Sequence, residues 1–162
     1  MAAAGFRRMS DTQADLRGVL IQVTGGRLLL PNACIAEILS VADPEPIEGA
    51  PEWLRGRIRW RGWQVPLVAY STLAGLGQHD PALRGQRVLV LKALAGDPRM
   101  PYFAVLTQGF PRLVTISDSS LVEDPEAPLG EAVASAVRFQ DEEALVPDMD
   151  DIERRLQAAL AA

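Results

Sequence analysis

Arg57-Ile58-Arg59-Trp60-Arg61-Gly62-Trp63-Gln64-Val65-Pro66-Leu67-Val68 is the stretch whose reading decides the fold. Charged and apolar residues alternate from Arg57 to Arg61, the period of a strand with one face buried. Arg61-Gly62 then reads as a hairpin turn, which sets Trp60 opposite Trp63 and Ile58 opposite Val65. Those four side chains share a face with Leu67 and are expected in a core. Arg57 and Arg59 fall on the other face, beside Gln64 and Pro66. Pro66 has no N–H to give a neighbour, so its strand is expected at an edge or irregular at that point.

Upstream, residues 18–24 read as a strand, Gly25-Gly26 as a turn and Arg27 to Leu30 as the returning strand. Ile35, Ile38 and Leu39 then stand at helical spacing, which predicts a short amphipathic helix over residues 33–41. Pro44, Pro46, Gly49 and Pro51 make residues 42–51 a connection, with a brief helix expected from Pro51 through Trp53 and Leu54. Residues 70–76 read as a short helix ended by Gly77.

Downstream, residues 88–91, 102–106 and 113–116 are continuous apolar runs, the pattern of strands buried on both faces. Residues 118–131, acidic and holding Pro125 and Pro128, read as a loop. Residues 133–139 and 143–146 can form a hairpin. A last helix follows: Asp148 can cap it, Asp150 and Asp151 suit its positive end, and Met149, Ile152, Leu156 and Leu160 form its apolar stripe. Asp150–Arg154 and Asp151–Arg155 stand four residues apart, as helix ion pairs do. Cys34, Ile38, Leu54, Val88, Val90, Val105 and Leu156 are expected to be buried. Many short strands with few helices point to barrels or a sandwich.

The chain has 162 residues and a net charge of −5. That length suits one domain, or two small halves sharing a core. The charge is uneven: residues 118–154 hold twelve acidic side chains against Arg138 and Arg154, whereas residues 51–63 hold Arg55, Arg57, Arg59 and Arg61 against Glu52. One short basic strand on an acidic protein is a poor fit to nucleic acid, which needs many spread cations, and a better fit to an acidic protein surface. No apolar run approaches the ~20 residues of a membrane span. With no signal-peptide pattern after Arg7 and Arg8, a cytoplasmic location is expected. Residues 1–15 read as a disordered tail. Cys34, a lone cysteine, reads as a buried structural thiol. His79 lies in a polar loop and reads as a solvated linker histidine without phosphotransfer. Asp148, Asp150 and Asp151 could suggest Mg²⁺, but the start of an amphipathic helix accounts for them. There is no phosphate loop, nucleophile elbow or metal-ligand spacing, so neither catalysis nor a cofactor is expected.

Residues 53–68 resemble the signature of CheW-like domains. There a short helix ends in Gly, a strand ends in Arg-Gly, and the next strand carries Val-Pro; Gly56, Arg61, Gly62, Val65 and Pro66 stand at those places here. The Gly-turned hairpin of residues 18–31, the run Ile35 to Leu39, Val105 to Phe110, and Leu145 to Leu156 fit the same pattern, and the resemblance covers about residues 16–160. It implies a mainly β fold of two five-stranded, SH3-like barrels sharing a core, with short helices and a C-terminal helix. The expected division is a first half at about 16–76, a second at about 86–147 and the helix at about 148–161. It also implies a non-catalytic adaptor that couples the cytoplasmic tips of methyl-accepting chemoreceptors to a CheA-type histidine kinase. Arg59-Trp60 replaces the family's Asn-Leu, and Ala69 and Gln108 stand where the family has Asp. Such departures suit an accessory member, as in pilus-motility systems, and bear on the usual kinase contact.

Arg57, Arg59, Arg61, Gly62 and Trp63 are the expected partner-binding residues. Arg side chains pair bidentately with carboxylates and are favoured at interfaces. Two plainer roles stand beside this: arginines that keep an edge strand soluble, and an Arg61 that holds its own turn. The competing reading for the whole chain is a β-barrel binder of an unrelated protein or of nucleic acid.

Overall fold

A computed structural model describes residues 16–40, 43–77 and 86–161. The elements are β1 (Leu16–Val23), β2 (Gly26–Pro31), a 3-10 turn (Asn32–Cys34), β3 (Ile35–Leu39), β4 (Leu54–Trp60), β5 (Trp63–Val68), α1 (Tyr70–Ala74), β6 (Gln86–Lys92), β7 (Tyr102–Ile116), β8 (Leu121–Glu123), β9 (Val133–Phe139), β10 (Glu142–Pro147) and α2 (Met149–Ala161).

One sheet runs β3-β6-β7-β1-β2-β10-β9-β8, and the β4–β5 hairpin joins it through β5 beside β7. The sheet curls around two apolar clusters. Ile58, Trp60, Val65, Leu67, Val88, Val90 and Ala104 fill the first, between β4, β5, β6 and the start of β7. Leu20, Leu29, Ile116, Val137, Phe139, Ala144 and Val146 fill the second, between β1, β2, β9, β10 and the end of β7. A third core lies between them, where β1, β2, β6 and β7 meet α1 and α2; Ile21, Leu28, Leu89, Phe103, Ile152 and Leu156 belong to it.

β7 ties the two halves together. Residues 102–106 and 113–116 were expected as separate strands but form one strand of fifteen residues. Gly109 bends it at φ 67°, and its pairing with β1 shifts between Leu20 and Gln22. There three residues of β7 stand opposite the single Ile21 of β1, an irregularity that bends the pair without ending it, so a single strand serves both clusters.

The helix expected at residues 33–41 is instead the 3-10 turn followed by β3. β3 pairs antiparallel with β6, and the register shifts between Ile35 and Glu37. That irregularity puts residues three apart on one side: Ile35 and Ile38 pack on the shared core, Ala36 and Leu39 on the first cluster. A bulged strand thereby imitates helical spacing. Ile38 and Cys34 are half-buried, whereas Leu54, Val88, Val90, Val105 and Leu156 are buried as expected.

Three smaller elements also differ. The helix expected at Pro51 is one turn, closed by the Leu54 N–H donating to the Pro51 carbonyl at 3.0 Å. α1 stops at Ala74, with Gly75 at φ 76° as its cap, rather than at Gly77. The acidic loop contains β8, which pairs with β9. The β9–β10 hairpin and the terminal helix form as the sequence predicts. Asp148 caps the helix by accepting from the Asp151 N–H at 3.1 Å. Asp151 accepts from Arg155 at 3.0 Å and also takes Arg154, which was expected on Asp150.

Candidate docking site at the β4–β5 hairpin

β4 alternates as its sequence demands: Leu54, Gly56, Ile58 and Trp60 are buried, and Arg59 is exposed. Arg61 and Gly62 form the two-residue turn, with φ of 49° and 82°. Positive φ at both positions is the hairpin turn whose twist matches that of its strands. The register is the expected one, Trp60 with Trp63, Arg59 with Gln64, Ile58 with Val65 and Arg57 with Pro66. Pro66 acts as foreseen: β5 pairs with β7 only at Leu67 and Val68, past the missing N–H.

The two tryptophans part company. Trp60 is only 7% exposed, while Trp63, expected beside it in the core, is 42% exposed. Trp63 lies at the hairpin's end, directly after the Arg61-Gly62 turn. Tyr102 meets both rings edge-on, at 4.8 Å from Trp60 and 6.3 Å from Trp63 between centroids. Arg61 sits over the Trp60 ring at 5.0 Å and donates to Glu37 on β3 at 2.8 Å. The hairpin tip is therefore braced by an aromatic stack and an ion pair. Arg57 is half-buried and Arg59 exposed, and among the described residues neither makes an ion pair.

Arg61 thus has a bracing role as well as an exposed head. Arg61→Glu removes the pair with Glu37, sets two carboxylates face to face and loses the ring contact. Together these are worth about 1 kcal/mol, since the pair is exposed. Thermal unfolding should register a drop of a few degrees; no change would make Arg61 a surface charge only.

Sequence reasoning missed a second exposed feature. On the far half of β7, Phe110 is 74% and Leu113 64% exposed. The Arg87 guanidinium lies 4.7 Å from the Phe110 ring, and neighbouring Arg112 pairs with Glu142. Leu113 belongs to a run that reads as buried, and Phe110 follows the bend at Gly109.

Cys34 is half-buried, and burial pushes its thiol up from the ordinary value, Lys92 opposing. A thiol held protonated is a poor nucleophile. His79 lies outside the described residues. No helix among the described residues is long and apolar enough to cross a membrane.

The CheW-like domain model matches residues 17–157. No curated protein matches the chain. The crystal structure of the scaffolding protein TtCheW from Thermoanaerobacter tengcongensis superposes with a TM-score of 0.70 at 15% identity, over 83% of this chain and 89% of that one. At that identity the likeness speaks for the fold, two SH3-like β halves with a C-terminal helix. A bent β7 shared by both halves, the Arg-Gly turn, Val65-Pro66 and a family match over nearly the whole chain lead to one conclusion: this protein belongs to the CheW-like domain family of chemotaxis scaffold and adaptor proteins.

Proposed function

We propose that this chain couples chemoreceptor cytoplasmic tips to a CheA-type histidine kinase, as an accessory adaptor of the kind that serves pilus-based motility. The observation that carries the reading is that one folded unit bears two exposed faces of different chemistry. The β4–β5 hairpin offers Arg57, Arg59, Arg61, Gly62 and Trp63, a basic strand beside an aromatic side chain. The bent half of β7 exposes Phe110, with the Arg87 guanidinium against its ring, and further along Leu113. An adaptor must hold two partners at once, and a basic face and an apolar face do not compete for the same ligand. The basic face suits the acidic surface of a kinase regulatory domain, where charge sets encounter and register. The apolar face suits the amphipathic helix of a receptor tip, which docks through regularly spaced apolar side chains.

Capture of purified kinase and receptor fragments separates the faces. An Arg57→Glu/Arg59→Glu chain should lose kinase about tenfold in affinity at an unchanged melting temperature. A Phe110→Asp chain should lose receptor and keep kinase. If both variants fold and capture both partners as the wild type does, the proposal fails.

A further inference from the structure

We infer that Arg55, with Arg57 next to it on β4, binds a phosphate group carried on a side chain of a partner protein. The inference rests on the reading of the β4–β5 hairpin as a docking face and names the chemistry that the face selects.

Arg55 itself is the first ground. The pairing of β4 with β5 shifts between Leu54 and Gly56, so Arg55 is the extra residue and stands opposite no residue of β5. Such a bulge re-aims a side chain and is favoured beside functional sites. Arg55 is half-buried, and its Nε is shut off from solvent with no acceptor. Among the described residues its guanidinium makes neither a hydrogen bond nor an ion pair. A buried donor on a charged group is costly to leave unpaired, and folded chains seldom keep one. An anion from outside supplies the acceptor.

The surrounding charge is the second ground. Arg57 and Arg59 follow along the strand and, among the described residues, make no ion pair either. Residues two apart on a strand lie about 7 Å from each other, so two arginine side chains can reach one anion. The chain brings its own acids close. Glu45 is held to Arg57 by two backbone hydrogen bonds, and Glu52 precedes Arg55 by three residues. Both acids are exposed, and neither pairs with an arginine of β4. Three cations within five residues therefore repel one another until a counter-charge arrives. A carboxylate brings one charge and two oxygens, whereas a phosphate monoester brings about 1.5–2 charges and three acceptor oxygens. One guanidinium fork uses up a carboxylate; two forks need a phosphate. Arg59 and Trp63, exposed on the same hairpin, give a protein-borne phosphate further contacts that the free ion lacks.

Fluorescence anisotropy on the purified full chain tests this with three labelled peptides of glycine and alanine, carrying a central phosphoserine, serine or glutamate. The phosphoserine peptide should bind about tenfold tighter than the other two and than inorganic phosphate. Arg55→Gln should remove about nine-tenths of that affinity, while Arg27→Gln, at an exposed arginine of β2, should change nothing. The melting temperature of Arg55→Gln should hold or rise, because an unpaired, partly buried charge is gone. Should that variant unfold, Arg55→Lys keeps the charge, loses the fork and is read instead. Equal binding of the three peptides overturns the inference, as does phosphoserine binding that neither Arg55 variant weakens. Inorganic phosphate that binds as tightly as the phosphoserine peptide overturns the assignment to a partner's side chain. Kinase capture separates this from the docking reading. Capture that persists without phosphoserine binding removes the inference alone; phosphoserine binding with capture unmoved by Arg57→Glu/Arg59→Glu removes the docking reading alone.

Discussion

Replacing Gly56 by alanine is expected to destabilise the protein by about 3–5 kcal/mol, a large share of the ~5–15 kcal/mol that holds a domain folded. A Cβ at this position meets the Glu45 carbonyl oxygen at 2.2 Å and its carbon at 2.7 Å, both backbone atoms that cannot rotate aside. The segment holding Glu45 must therefore leave β4. With it go two hydrogen bonds, Glu45 N–H to the Arg57 carbonyl at 2.8 Å and Arg57 N–H to the Glu45 carbonyl at 2.9 Å. Each is worth about 1 kcal/mol net. The backbone adds its own cost, because φ is 137° at Gly56, a conformation that costs side-chain-bearing residues about 1–3 kcal/mol. The same change loosens the strand that displays Arg57 and Arg59, so partner capture should fall along with stability. Denaturant unfolding is the measurement, read as a shift of the midpoint at constant slope. An unchanged midpoint would mean that the segment slides without loss, and the close approach would carry no structural weight.

Gly56 shows what a single sequence reveals and what it hides. Its place before an alternating strand was legible, as were the Arg61-Gly62 turn and the pairing of Ile58 with Val65, because a tight hairpin is settled by neighbours in the chain. The need for glycine was not, since the carbonyl it admits comes from Glu45, across a proline-rich connection. β3 was misread for a physical reason: a bulge between Ile35 and Glu37 gives a strand the spacing of a helix. β7 was read as two strands because Gly109, Pro111 and Arg112 interrupt its apolar run, yet the strand only bends there. Of the candidate site, the arginines on β4 were legible from alternation, while the exposure of Trp63 depends on where the barrel rim falls. Phe110 and Leu113 gave no sign, since an apolar residue that faces outward has the same letter as one that faces in. Glu153 gave none either, a glutamate on a helix that already carries Asp150, Asp151, Arg154 and Arg155.

Glu153 is nonetheless 1% exposed, and its truncation should be the costliest single change on the terminal helix outside the apolar stripe. The carboxylate accepts from the Leu94 N–H at 3.1 and 2.9 Å through its two oxygens, and from the Ala95 N–H at 2.9 Å. It thereby fastens α2 to the connection between β6 and β7. Nearby, Asp97 holds the same connection in shape by accepting from the Arg99 N–H at 2.9 Å. Glu153→Ala leaves two amide donors without their acceptor and opens a space beside Ile152 and Leu156. Hydrogen bonds to a charged group are worth about 1.5–3 kcal/mol each, and part of that returns if water reaches the loop. A net loss of about 3 kcal/mol follows, near 10 °C in melting temperature for a chain of this size. Glu153→Gln keeps one acceptor oxygen but turns an NH2 group toward the amides, so it should fall between wild type and alanine. Hydrogen exchange separates this from a general loosening, because the Leu94 and Ala95 amides should lose protection more than those of β6. If Glu153→Ala melts as the wild type does, or if those two amides keep their protection, the carboxylate does not fasten the helix and α2 is held by Ile152 and Leu156 alone.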